Sequence, residues 1–167
     1  PRLRALNIEV NLKICGSNMP EHFHEYAAKD IQVLGFIESL DDLFAGCRLS
    51  VAPLRFGAGL KGKLVTSLAY GVPCIASPLA FEGMPGTGLD ECSLIAEEAG
   101  GFAELIARYH SDPVAWERCS LAGIHYAEQH FSIEAVTGVL RQLIEGQNVP
   151  QKRNSHNSVA APTDQVA

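Results

Sequence analysis

The fold is decided by residues 49–78, which read LSVAPLRFGAGLKGKLVTSLAYGVPCIASP. The stretch opens with an apolar run of strand length, residues 49–54, and closes with a second one, residues 72–76. Between them, leucines at near i, i+4 spacing predict a helix, which Gly71 ends as a left-handed cap and Pro73 cannot extend. A strand, a glycine loop, a helix and a strand make one βαβ unit, so we expect parallel strands covered on both faces.

The loop between the first strand and the helix has the composition of an anion site. It holds three glycines and three cations within nine residues: Arg55, Gly57, Gly59, Lys61, Gly62 and Lys63. Glycine removes the Cβ atoms that would keep a ligand away from the backbone. The helix start behind the loop offers unpaired N–H groups and a partial positive charge. This composition predicts a phosphate site; the alternative is a tight surface loop whose cations only face solvent.

Length and charge limit the classes of function. The chain has 167 residues, enough for one domain with a full core, and its net charge is −6. Nucleic-acid binding needs a basic face, so an acidic chain argues against it. The cationic loop is a local exception, which favours a small anionic ligand. No apolar run approaches the ~20 residues of a membrane span, so we expect no transmembrane segment.

The cysteines indicate a compartment. They lie at positions 15, 47, 74, 92 and 119, and no two of them form a CxxC pair. Cys15 and Cys74 fall inside apolar runs, where a free thiol behaves as a small buried hydrophobe. We therefore expect a cytoplasmic protein without disulfides or a zinc site. The start, PRLRALN, lacks the apolar core of a signal peptide, and the missing initiator Met is typical of a fragment or a processed piece.

Elements of alternating type surround the central unit. Strands are predicted at residues 11–15, 31–36 and 93–96, helices at 18–29, 102–110 and about 113–129, a short helix after Ser39, and a last helix from Ser132 to Gly146. Residues 79–90 are predicted to be a loop after a strand, a common ligand-binding position. The fold class is therefore α/β: a doubly wound parallel sheet, Rossmann-like, with C-terminal helices. Residues 1–146 form this domain, and residues 147–167 are interpreted as a tail, either disordered or added for expression.

An NAD site is a competing interpretation of the same loop. Residues 57–62 match the dinucleotide fingerprint GxGxxG, and Glu82 lies twenty residues past Gly62. However, at least two strands precede the loop, whereas the fingerprint belongs to the first βα turn of its fold. The sequence also lacks a nucleophile elbow, an HExxH motif and paired carboxylates at useful spacing, so no residue is assigned a catalytic role.

Residues 33–84 as a whole resemble the donor-binding domain of GT-B-fold glycosyltransferases, above all family 4 and the related glycosyl transferases group 1. The most specific part is PLRFGAGLKGK followed by SLAYGVPCIAS, and the likeness covers about residues 8–146. The resemblance implies one half of a GT-B enzyme, which binds a nucleotide diphosphate sugar for transfer of the sugar to an acceptor. An N-terminal acceptor domain, missing from this chain, would complete the enzyme and carry any catalytic base, so this chain alone would be inactive.

The resemblance also implies roles for particular residues. The diphosphate would be cradled and neutralised by residues of the glycine loop: Arg55, Gly57, Gly59, Leu60, Lys61 and Lys63. Gly35 and Phe36 would lie near the nucleobase, and Glu82 and Gly83 would border the donor pocket. No metal or other cofactor is implied for diphosphate binding, because the cations and the helix dipole do that work.

The chain departs from the family pattern at two positions. Family 4 members typically carry two glutamates separated by seven residues, one contacting the donor sugar and one holding the ribose, where this chain has Ala58 and Thr66. A hydroxyl at Thr66 can bind ribose but lacks the charge-assisted strength of a carboxylate. A degenerate domain that binds a nucleotide or a partner without turnover is therefore the main alternative to a transferase, ahead of an NAD-binding domain.

Overall fold

The computed structural model describes residues 1–86, 88–89 and 92–146. In chain order, its elements are α1 (Arg2–Ala5), β1 (Leu12–Cys15), a 3-10 helix (Glu21–Tyr26), β2 (Ile31–Gly35), α2 (Leu40–Ala45), β3 (Ser50–Ala52), α3 (Gly62–Ala69), β4 (Cys74–Ala76), a second 3-10 helix (Pro78–Phe81), α4 (Ala99–Ser111), α5 (Pro113–Phe131) and α6 (Ile133–Ile144). The predicted tail, residues 147–167, lies outside the described residues.

The strands pair in parallel, as predicted, and the sheets are small. β1 pairs with β2, and β3 pairs with β4, with Ser50 opposite Cys74. Ile95 adds an isolated parallel bridge to Ala76. The α/β class is therefore confirmed, with the described strands forming two separate parallel pairs.

β4 is the centre of the core because it is covered on both faces. Cys74 and Ala76 contact a cluster built mainly from α3 and α5, whereas Ile75 contacts a second cluster built mainly from α4 and α5. Alternate residues of a strand point to opposite faces, so these contacts place helices on either side of it. All three residues are at most 2% exposed. This two-sided burial is the doubly wound arrangement that the central βαβ unit predicts.

The predicted helix caps are confirmed. Each predicted capping side chain accepts a hydrogen bond from the amide three residues further on: Ser39 from Asp42 at 3.2 Å, Asp112 from Ala115 at 2.9 Å, and Ser132 from Ala135 at 3.1 Å. Gly71 follows α3 with φ +70°, in the left-handed region expected of a glycine cap. Local chemistry therefore places these helix ends correctly.

Three expectations were wrong: two concern the length of an element, and one concerns the burial of a cysteine. The helix predicted over residues 18–29 is only the 3-10 helix Glu21–Tyr26, which buries no residue and so gains little packing that could support a longer helix. The strand predicted over residues 93–96 is reduced to the bridge at Ile95. Cys15 is only half-buried, whereas Cys74 is buried as predicted.

The core makes stability sensitive to alkaline pH. Burial raises the pKa of the Cys74 thiol to about 11 and that of the Tyr109 hydroxyl to about 12. In the unfolded chain the Cys74 thiol loses its proton above about pH 9, and the Tyr109 hydroxyl loses its proton above about pH 10. The folded chain keeps both protons to higher pH, so the free energy of unfolding falls as pH rises. Between its pKa in the unfolded chain and its pKa in the folded chain, each group lowers the free energy of unfolding by about 1.4 kcal/mol per pH unit.

Urea unfolding at pH 7.5, 9 and 10.5 measures this loss. We expect stability to be nearly constant between pH 7.5 and 9 and to fall clearly by pH 10.5. In Cys74→Ala the fall should be less steep, after the cost of the substitution itself at pH 7.5 has been subtracted. Equal slopes in the two proteins would contradict a raised pKa at Cys74.

Candidate functional site

The glycine-rich loop of residues 53–61, the β3–α3 loop, joins β3 to α3. Gly57 has φ +139° and Gly59 has φ +70°, values that glycine adopts without steric cost. A Cβ atom built at Gly59 would meet no atom within 4 Å, so backbone conformation, and not crowding, requires glycine there. Residues 55–60 are all exposed. The loop therefore presents its backbone to solvent.

The N–H groups of this loop are available to a ligand. Within the described part of the chain, no residue accepts a hydrogen bond from the amides of residues 55–63. The amides of Gly62 and Lys63 are unpaired because they open α3, where no carbonyl lies one turn earlier in the helix. α3 has eight residues, and its N-cap residue Lys61 makes no side-chain capping bond. Unpaired donors at the positive end of a helix dipole are suited to an anion.

The three cations of the loop behave differently. The Lys61 ammonium donates a hydrogen bond to the Gly59 carbonyl at 2.5 Å, and its Cε lies 3.5 Å from a Cβ built at Gly57. Lys61 therefore folds back across the loop and helps to fix its shape. Arg55 and Lys63 are exposed and, among the described residues, have no hydrogen-bond or ion-pair partner. These two side chains can reach a ligand without breaking a contact.

The loop after β4 lies beside the β3–α3 loop at the carboxyl edge of the strand pair. The Ser77 amide donates to the Ala52 carbonyl at 3.1 Å, and the Ser77 hydroxyl donates to the Leu54 carbonyl at 2.7 Å. Ser77 is 8% exposed, so these bonds are shielded from water. Sequence reasoning missed this residue, because a serine between an apolar run and a proline indicates only a turn.

Buried hydroxyls also fix α3 against β3. The Ser67 hydroxyl, 1% exposed, donates to the Val72 carbonyl at 2.7 Å and lies 2.6 Å from the Ser50 hydroxyl. Buried polar groups that are fully paired hold their elements in one arrangement. The second half of α3 is therefore held in place by the body of the domain.

The remaining predicted residues near this edge are Thr66, Glu82 and Gly83. Thr66 is half-buried one turn after Gly62, and side chains of a helix tilt towards its N-terminus, so Thr66 lies on the turn that carries the free amides. Glu82 and Gly83 are exposed and follow the second 3-10 helix, and Gly83 has φ +80°. Both belong to the loop that Ser77 ties to the β3–α3 loop.

Gly35 and Phe36 belong to the other strand pair. Gly35 ends β2 with φ +69°, and its carbonyl accepts a hydrogen bond from the Gly16 amide at 2.8 Å. Phe36 is 69% exposed. Because β2 pairs with β1 and not with β3 or β4, no described hydrogen bond or ring contact joins these two residues to the β3–α3 loop. Their place beside a nucleobase stays a prediction.

Other groups do not extend the site. No cluster of three or more metal-ligating side chains exists within the described residues. His130 packs on Tyr126 with ring centroids 4.7 Å apart, and its Nε2 is buried without a hydrogen-bond partner among those residues. No helix in the described part of the chain is long and apolar enough to span a bilayer. No catalytic side chain is identified from this geometry.

The fold and the loop together define an α/β domain with a glycine-rich, cationic helix start. The family model for glycosyl transferases group 1 matches residues 1–112. The chain therefore belongs to the glycosyl transferases group 1 family, as a GT-B glycosyltransferase domain with a role in glycosyl transfer. No curated protein matches the chain.

Proposed function

We propose that this domain binds the nucleotide diphosphate sugar of a glycosyltransferase reaction, with the diphosphate held at the start of α3. One observation carries the proposal: the amides of residues 55–63 make no hydrogen bond to any described residue. In this proposal the backbone at Gly57, Gly59 and Leu60 donates to phosphate oxygens. Arg55 and Lys63 neutralise the charge, and Lys61 shapes the loop.

The donor would extend from the loop in two directions. Thr66 would contact the ribose from the first turns of α3, and Glu82 with Gly83 would border the sugar from the loop after β4. Gly35 and Phe36 would contact the nucleobase. The helix dipole and cations suffice for diphosphate binding without a metal ion. Membership of glycosyltransferase family 4 and a cytoplasmic location are also part of this proposal.

An acceptor domain would complete the enzyme. The chain belongs to the glycosyl transferases group 1 family, and we propose that an N-terminal domain of the same parent chain supplies the acceptor site. This domain alone would then bind the donor without transferring the sugar. A mixture of the domain and a nucleotide sugar should show binding but no release of nucleoside diphosphate.

A degenerate domain without turnover is the second candidate. It is favoured by Thr66, which gives the site a hydroxyl where a carboxylate would hold ribose more strongly. This candidate shares the diphosphate loop with the first, so nucleotide binding alone does not separate the two. Turnover by the complete parent chain does separate them, and its absence would favour the degenerate domain.

Calorimetric titration with UDP, GDP and NAD tests donor binding, and Lys63→Ala tests the loop. We expect micromolar affinity for one of the nucleoside diphosphates, weakened about ten- to a hundredfold in Lys63→Ala, because a charge-assisted contact to phosphate contributes about 1.5–3 kcal/mol. Lys29→Ala is the matched control, since Lys29 is also an exposed lysine but lies outside the loop. Its affinity should equal that of the wild type.

The other possible results of the titration distinguish the competing kinds of site. Binding of NAD alone would support a dinucleotide site and refute the donor site. Silence towards all three nucleotides would refute both and leave a domain that recognises a partner. Equal losses in Lys63→Ala and Lys29→Ala would show that the effect is one of net charge and not of the loop.

A further inference from the structure

Each of the two parallel strand pairs has one edge that is already hydrogen-bonded. Beside β2, the Ile31 N–H donates to the Ala28 carbonyl at 3.1 Å, and the Ala28 N–H donates to the Ile31 carbonyl at 3.0 Å. Beside β4, the Ala76 N–H donates to the Leu94 carbonyl at 2.9 Å, and the Ala96 N–H donates to the Ala76 carbonyl at 3.0 Å. At these positions the backbone groups on the outer edges therefore have partners.

The other edge of each strand pair, formed by β1 and by β3, is open. The amides of Leu12 on β1 and Ser50 on β3 donate to carbonyls just before β2 and β4, at 2.9 Å and 3.0 Å. Successive residues of a strand direct their N–H and C=O groups to opposite edges. The backbone groups of the next residues, Lys13 and Val51, therefore face away from β2 and β4. Among the described strands, none pairs with β1 or β3 on that side.

Apolar side chains at the open edges are exposed where a further strand would cover them. Val51 lies opposite Ile75 in the register of β3 with β4, so the two side chains share one face of the sheet. β4 has a neighbour on each side, and Ile75 is 0% exposed, whereas Val51 is 38% exposed. Leu12 on β1 is 39% exposed. Because strands of a parallel sheet are normally buried on both faces, these exposures indicate a missing neighbour.

The order of the strands along the chain indicates that one strand would pair with both open edges. In the doubly wound order 3-2-1-4-5-6, the chain moves outward from the centre, then returns to the centre and moves outward on the other side. β1 and β2 match strands 2 and 3, β3 and β4 match strands 4 and 5, and the bridge at Ile95 matches strand 6. Strand 1 has no counterpart among the described residues. In this order, strand 1 lies between β1 and β3.

α1 lies where the helix that connects such a strand to β1 should lie. This connection crosses the sheet in the opposite direction to the one from β3 to β4, so a right-handed crossover places its helix on the face opposite to α3. α3 covers the face of Cys74 and Ala76, whereas α4 covers the face of Ile75. α1 contacts α4, with Arg2 Nη1 3.6 Å from a Cβ built at Gly100. α1 is therefore on the face that the crossover requires, and it precedes β1 in the chain.

We propose that the open edges of β1 and β3 together bind a fifth parallel strand, supplied by a segment that precedes α1 in the parent chain. The strand pairs with the backbone of Lys13 on one side and of Val51 on the other, which joins the two strand pairs into one sheet. A central strand of a parallel sheet is buried on both faces. The segment is therefore an apolar run of about five residues, rich in valine, isoleucine and leucine. The proposal uses the parent chain of the proposed function but not its nucleotide site.

Hydrogen exchange of single backbone amides tests this pairing, in the 167-residue chain and in the parent chain, both without nucleotide. Leu12 and Ser50 are the matched controls, since each is the neighbour of a test residue in the same strand and its amide is already bonded. In the 167-residue chain the Lys13 and Val51 amides should exchange about a hundredfold faster than those of the controls. In the parent chain all four amides should exchange slowly, at similar rates, and an apolar run upstream of Pro1 should also be protected.

The remaining results of the exchange experiment would overturn the proposal. Fast exchange at Lys13 and Val51 in both chains would show that no strand binds there. Slow exchange already in the 167-residue chain would show another partner, which is a second copy if dilution removes the protection and a segment of this chain if it does not. Protection of only one of the two amides in the parent chain would show a strand that does not join the two pairs. Failure of nucleotide binding would leave all these rates unchanged.

Discussion

Gly59→Val is expected to weaken nucleoside diphosphate binding by about a hundredfold. Gly59 has φ +70°, and a β-branched residue is a clear outlier in that region. The loop would leave this conformation, and its amides would be displaced from the proposed phosphate site. The valine methyls would also fill space that is open now, since a Cβ at Gly59 meets no atom within 4 Å. Calorimetry with the nucleotide that binds the wild type measures the loss.

Gly146→Val is the matched control for this prediction. Gly146 has φ +72°, and a Cβ built there also meets nothing within 4 Å, but it lies after α6 and outside the β3–α3 loop. The two substitutions carry similar backbone strain, so their effects on stability should be similar. Only Gly59→Val should lose binding. Unchanged affinity in Gly59→Val, or an equal loss in both variants, would contradict a phosphate cradle made of backbone amides.

The parts of the fold that depend on neighbouring residues could be predicted from the sequence. Ser39, Asp112 and Ser132 cap helices because each side chain reaches an amide three residues away. Strand lengths could not be predicted in this way, because a strand extends only as far as its partner pairs with it. This explains why residues 93–96 contribute one bridge and why β3 is shorter than its apolar run.

For two predicted helices, the outcome depends on packing against distant parts of the chain. The residues 18–29 contain apolar side chains, but they find no buried surface to cover, and only a short 3-10 helix forms. α6 forms as predicted over an apolar stripe, yet it buries no residue. The pattern of apolar residues therefore predicts which helical face is apolar, whereas it does not say what lies against that face.

In the candidate site, too, features that depend on neighbouring residues could be predicted, whereas contacts between distant residues could not. The glycine loop and the start of α3 are local features, so their free amides follow from spacing alone. The bond from Ser77 to the Leu54 carbonyl joins residues 23 positions apart, and no local pattern indicates it. The sequence names Lys61 or Lys63 as the cation that neutralises the phosphate, and it does not indicate that the Lys61 ammonium donates to the Gly59 carbonyl in the same loop. Side-chain partners within a loop depend on the loop's conformation, which spacing does not determine.

Leu68→Ala is expected to lower the free energy of unfolding by about 3 kcal/mol, the largest stability effect that we predict for the domain. Leu68 is 1% exposed on α3, and its Cδ2 would lie 3.1 Å from a Cβ built at Gly123 of α5. The two helices thus approach closely at a glycine, and the truncated side chain leaves a cavity that a rigid backbone contact cannot easily close. The melting temperature should fall by about 6–12 °C.

Leu140→Ala on α6 is the matched control, since it is also a helical leucine but is 52% exposed. Its truncation should cost less than about 1 kcal/mol, because little apolar surface returns to water and no cavity forms. Urea unfolding of both variants at pH 7.5 makes the comparison. Leu68 is not part of the proposed phosphate site, so the fraction of Leu68→Ala that is folded at low temperature should still bind nucleotide. Equal costs for the two leucines would contradict the close packing of α3 against α5, on which the position of the free amides depends.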